Sequence, residues 1–162
     1  MQENFLERIN IMNKLQQDCN RYQQSSSISH TYESYIAEIQ NYLNHIMDFV
    51  CAEEAIVRNQ NETYTLITLY HNFKPHFELL DMLWDIHSDS LLDSNSYPSH
   101  ICSSYLLASL HSHIVYNGFK RKKNLAIVLY LKTLKPYLMI LHSWWTENYR
   151  LEDYKDEFLV KK

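Results

Sequence analysis

TYESYIAEIQNYLNHIMDFV, Thr31 to Val50, carries a long apolar stripe at helical spacing. Tyr35, Ile39, Tyr42, Leu43, Ile46 and Val50 recur at three- and four-residue steps, which gathers them on one side of an α-helix. The pattern predicts a helix from about Thr31 to Asn59, with the polar RNQNE that follows as a loop. Upstream, Phe5, Ile9, Met12, Cys19 and Tyr22 form a second such stripe, from about Gln2 to Gln24, ended by Ser25-Ser26-Ser27.

Downstream the same period returns. A third helix is expected from near Thr63, carried by Leu66, Tyr70, Phe73, Phe77, Leu80, Leu83 and Ile86. SDSLLDSNSYPSH then interrupts it, because serine, aspartate and asparagine compete for backbone hydrogen bonds and favour turns and caps. Pro98 suits the opening of a fourth helix, Pro98 to Tyr116, and Gly118 stands where a left-handed residue would end it. A fifth helix is expected from Asn124 to Thr146. Pro75 and Pro136 fall inside the third and fifth, where a missing N–H should kink or break the helix. FKPHFELLDMLWD and LKPYLMILHSWWT, 61 residues apart, share the proline and the apolar steps after it. That likeness is either a weak internal repeat or two helices meeting one packing demand.

Composition agrees with a few long helices. The chain has 162 residues, 46% hydrophobic and 21% charged, with one glycine and three prolines. Sheets need turn residues at many corners, so this shortage favours an all-α, elongated antiparallel bundle of about five helices. Residues 1–162 read as one helical domain, with 1–30 as a first helix plus a serine-rich linker. The opening MQENFLERIN has no basic-then-apolar signal pattern, and no run is read as reaching the roughly 20 apolar residues of a membrane span.

Chemistry is sparse. A net charge of −4 argues against a nucleic-acid footprint. Cys19, Cys51 and Cys102 are odd in number and widely spaced, and read as reduced thiols. Nine histidines show no H-E-x-x-H or paired-ligand spacing, and one glycine permits no phosphate loop. No nucleophile stands beside a base. A non-enzymatic protein without cofactor or metal is therefore expected.

Two features remain. Lys120-Arg121-Lys122-Lys123 is the one basic cluster, read as a solvated loop between the fourth and fifth helices. As an alternative function, that loop would make the chain an adaptor for small helical partners or acidic surfaces. The aromatic load is also heavy, with 13 tyrosines, six phenylalanines and three tryptophans. Trp144 and Trp145 are consecutive, hence about 100° apart on a helix, so either the core wraps around both or one of them faces an interface.

The closing segment, LKTLKPYLMILHSWW followed by a polar turn and LEDYKDEFLV, resembles the end of the first conserved region of the gamma-tubulin complex components. The residues that carry the likeness are Pro136, Tyr137, Leu138, Trp144, Asp153, Glu157, Phe158, Leu159 and Val160. YESYIAEIQNYLNHIMDFVCAEE, TLITLYHNFKPHFELLDMLWDI and SSYLLASLHSHIVYNG are similar to the family's preceding helices. Within the family, the run Ser104 to Phe158 is most similar to the component 5 branch. The turn glycine is replaced by Asn148 in a turn one residue longer, the proline after the aspartate by Tyr154, and the tyrosine by Lys155.

The resemblance implies spectrin-like helical packing and a scaffold role. It further implies lateral contacts with other gamma-tubulin complex components, with small helical complex proteins as further partners. Gamma-tubulin would be reached only indirectly, through a C-terminal half that this sequence lacks. The implied location is the cytoplasmic cytoskeleton, at the centrosome or another microtubule organizing centre. The tail Phe158-Leu159-Val160 is expected to fold back and be covered either by the bundle or by a downstream domain, with Asp153 and Glu157 as capping or salt-bridging groups.

Overall fold

The computed structural model describes residues 2–24, 28–59, 65–92, 96–146 and 153–157. Among them are five α-helices and no strand: α1 (Gln2–Gln23), α2 (His30–Asn59), α3 (Leu66–Ser90), α4 (Ser99–Tyr116) and α5 (Lys120–Thr146). The stripe on α2 is the reason they assemble. Tyr32, Tyr35, Ile36, Ile39, Leu43 and Ile46 are all buried on its inner side. Their partners are Leu15 and Cys19 of α1, Leu80, Leu83 and Ile86 of α3, Cys102, Leu106 and Leu110 of α4, and Leu125, Ala126 and Leu129 of α5. Full burial of one such side chain is worth about 1.5–3 kcal/mol, so this shared core dominates the stability.

Neighbours in space do not follow chain order. α1 packs on α2 and α3, α5 on α2 and α4, and α3 on α4, while α2 to α4 and α3 to α5 are lesser contacts across the middle. The helices thus close a ring in the order α1, α2, α5, α4, α3. α2, at 30 residues, is about 45 Å long, and the 18-residue α4 only about 27 Å. An aromatic cluster extends the core between α1, α2 and α3. Phe5 meets Phe77 edge-on at 4.9 Å, Phe49 meets Phe73 at 5.2 Å, and His76 stacks on Phe49 at 3.9 Å.

Local chemistry sets several helix ends. Ser29 Oγ accepts the Tyr32 N–H at 3.1 Å, an N-cap for α2. Thr65 Oγ1 accepts the Thr68 N–H at 3.2 Å and caps α3. Pro98 precedes α4, and its carbonyl accepts from Ile101 and Cys102. Gly118 departs from expectation, since no described glycine has a positive φ. α4 instead ends through an extended Asn117 (φ −87°, ψ 120°), whose Oδ1 accepts the Phe119 N–H at 3.3 Å. Pro75 and Pro136 sit inside α3 and α5, and each helix continues through its proline. Proline loses one hydrogen bond to the carbonyl four residues back, and burial along both helices outweighs that loss.

Cys19 and Cys102 are buried and Cys51 is exposed, all three as free thiols. Burial pushes the Cys19 thiol up to about 11, which leaves it inert. His87 is also buried. Its Nδ1 lies 3.4 Å from Tyr35 Oη and its Nε2 3.5 Å from Asp18 Oδ2. Burial lowers its pKa, and Asp18 pulls the other way without cancelling the effect.

His76 and His113 are lowered as well, again chiefly by burial. A histidine whose folded pKa lies below the ordinary value of about 6.5 protonates more readily when unfolded. Its stabilising contribution is complete above that value and is lost as pH falls through the window beneath it. The urea midpoint should therefore drop between about pH 7 and pH 5, and less steeply in His87→Gln. An unchanged slope in that variant would contradict the assignment to His87.

Candidate interaction surface

α5 works on two sides. Leu125, Ala126, Leu129, Thr133 and Ile140 face the core. The opposite side carries Val128, Leu131, Leu138, Met139 and Trp145, all exposed, with Leu131 at 60%, Met139 at 63% and Trp145 at 74%. Positions 128, 131, 138 and 145 are three and seven residues apart, with Lys135 and His142 at the intervening steps. α5 contains six lysines and arginines and no acidic residue. It is also long and apolar enough to cross a membrane, by length and composition. That corrects the reading of no such run: the core-facing and outward apolar residues together raise the helix to that level.

The residues picked from the sequence lie on this helix but not on one face. Leu138 and Trp145 point outward, while Pro136, Tyr137 and Trp144 are partly buried. Consecutive tryptophans about 100° apart are thus divided between a packed and an open position. Pro136, Met139, Ile140 and Ser143 also border a cavity of about 440 Å³ with His30, Glu33 and Ser34 of α2. His30 Nδ1 and Glu33 Oε2 meet at 2.9 Å on its rim.

Residues 153–157 return to the N-terminus of α2. Glu157 is only 1% exposed. Its Oε1 accepts the His30 N–H, and its Oε2 accepts the Thr31 N–H at 3.0 Å and the Thr31 hydroxyl at 2.6 Å. Ser103 Oγ of α4 lies 3.3 Å from the same Oε2 and 2.9 Å from Ser29 Oγ. The first N–H groups of a helix lack partners within it and carry partial positive charge, so a carboxylate is well matched there. Asp153 Oδ1 accepts the Glu157 N–H at 3.0 Å, and Asp156, at φ 54°, turns the chain between them. Aspartate tolerates the left-handed region better than most side chains. Phe158, Leu159 and Val160 lie outside the described residues, as does Asn148.

The basic cluster is not a loop. Lys120, Arg121, Lys122 and Lys123 form the first turn of α5, four residues before its expected start. Cations at a helix N-terminus oppose its dipole, and acids on α3 answer two of them. Arg121 Nη1 meets Glu78 Oε2 at 2.7 Å and Lys122 Nζ meets Asp85 Oδ2 at 2.9 Å. Arg8 of α1 reaches Asp81, on the same row of α3, at 2.8 Å. No described group of three or more histidines, cysteines or acids is placed to hold a metal ion.

A family model described as "Gamma tubulin complex component N-terminal" matches residues 1–162. The chain belongs to that family. A comparison with curated proteins returns no match.

For this gamma-tubulin complex component, the sequence alone did not point to the donors that hold the Glu157 carboxylate, on His30, Thr31 and Ser103, nor to Ser29, which accepts from Ser103 beside them. Ser29 had a local signal, a serine just ahead of a periodic run. Ser103 had none, since only the packing of α4 on its neighbours brings it there. Glu157→Ala should lower the unfolding free energy by about 2 kcal/mol, because charge-assisted bonds are lost and the α2 donors lose their acceptor. Glu157→Gln should fall between the two. A urea-denaturation loss below about 0.5 kcal/mol for the alanine variant would show that the tail contributes no cap.

Proposed function

We propose that this chain is a non-enzymatic scaffold module of the gamma-tubulin ring complex, setting lateral contacts between its components for microtubule nucleation. The match to the family's N-terminal model over residues 1–162 carries the reading. Two further features support it. The five helices share one core through α2, which suits a rigid spacer. The outward side of α5 leaves apolar residues uncovered, Trp145 among them, as a contact surface requires. The component 5 branch is the proposed place within the family, on the likeness of Ser104 to Phe158. Its partners would be sister components and small helical proteins of the complex, with gamma-tubulin reached indirectly. The site of action would be the cytoplasmic microtubule organizing centre.

The adaptor reading through Lys120–Lys123 is less favoured, because Arg121 and Lys122 are already paired within the molecule. Co-expression with each gamma-tubulin complex component, followed by affinity capture and size-exclusion chromatography, tests the proposal. A stable one-to-one assembly with at least one sister component is the expected result. Migration as a separate species beside all of them would refute it.

A further inference from the structure

The outward side of α5 has a pattern that narrows its occupant. From Val128 to Trp145 it runs about 26 Å, and its seam is 128, 131, 135, 138, 142 and 145. These steps of three and four are the spacing at which a second helix lays its own side chains between those of the first. The seam is not wholly apolar. Lys135 and His142 lie within it, both exposed, and Lys132 stands beside Leu131. Among the described residues no ion pair engages Lys132 or Lys135.

We propose that this face receives an amphipathic helix of a sister component that carries a carboxylate opposite Lys135. The inference rests on the lateral-assembly reading and adds to it the surface and the chemistry of the partner. Three candidate occupants differ in how they treat the lysines. A bilayer would bury the apolar stripe but leave Lys135 and His142 to be drawn out of its middle, a desolvation cost at two of six seam positions. A second copy of α5 would bring only cations, since the helix contains no acid, and like charges would face each other. A helix with acids at the matching steps covers Leu131, Leu138, Met139 and Trp145 and pairs Lys135 at once. Burial of the tryptophan and methionine then supplies affinity, and the lysine fixes register and partner.

The test uses the full chain co-expressed with sister components, comparing wild type, the double variant Leu131→Ser with Met139→Ser, Lys135→Glu and Lys135→Arg. Each altered side chain is exposed, so urea midpoints should stay at the wild-type value and separate lost binding from lost folding. The double variant and Lys135→Glu should each weaken assembly about tenfold or more, and Lys135→Arg should not. Wild-type assembly that survives both changes would overturn the α5 inference and leave lateral assembly standing. Failure of the wild type to assemble with any sister component would overturn both. Two other outcomes also overturn the inference. One is binding to phosphatidylserine-rich vesicles that the double variant abolishes while assembly persists. The other is concentration-dependent self-association of the chain alone that the same variant abolishes.

Discussion

One buried stripe on one helix organises this molecule. Tyr32, Tyr35, Ile36, Ile39, Leu43 and Ile46 lie along the inner side of α2, and each of the other helices contributes to the cluster around them. Because the stripe keeps a helical period, it allows only helices to pack against it at regular intervals. Burial at this centre also explains the chemistry of the interior. His87 is held toward neutrality and the Cys19 thiol is raised, each chiefly because a charge there would be cut off from water.

The ends of the bundle are secured differently from its middle. At the start of α2, a carboxylate from residue 157 fills the place that a local cap only partly fills, linking α2, α4 and the tail through hydrogen bonds rather than apolar area. On another flank, acids of α3 receive cations from α1 and α5. Exposed ion pairs are worth little individually, and their role is to make a basic first turn compatible with a helix. α5 therefore has three duties: it closes the ring, it is tied to α3 at its beginning, and it presents an apolar side outward at its end.

Much of this was legible in the sequence, for identifiable reasons. Four helices and the end of the fifth follow from three- and four-residue spacing, which is a local signal. The start of α5 did not follow, because four consecutive cations read as a solvated loop until Glu78 and Asp85, some 40 residues away, are seen beside them. Gly118 pointed to a left-handed stop that Asn117 makes unnecessary by bonding the Phe119 N–H. Pro75 and Pro136 leave open from the sequence whether each helix kinks or breaks, and neither helix breaks, because burial along each outweighs one missing bond. For the candidate surface, adjacency of Trp144 and Trp145 raises an outward-facing tryptophan as one of two arrangements. Which of the two faces outward depends on where α2 and α4 lie, and no local pattern carries that.

Assembly is expected to cover the outer side of α5. Hydroxyl-radical footprinting of the chain, free and in complex with a sister component, measures this directly. Met139 and Trp145 should lose reactivity on assembly, while exposed residues elsewhere in the fold, such as Ile67 and Tyr105, should keep theirs. Protection of those other positions with Met139 and Trp145 still fully reactive would contradict the account.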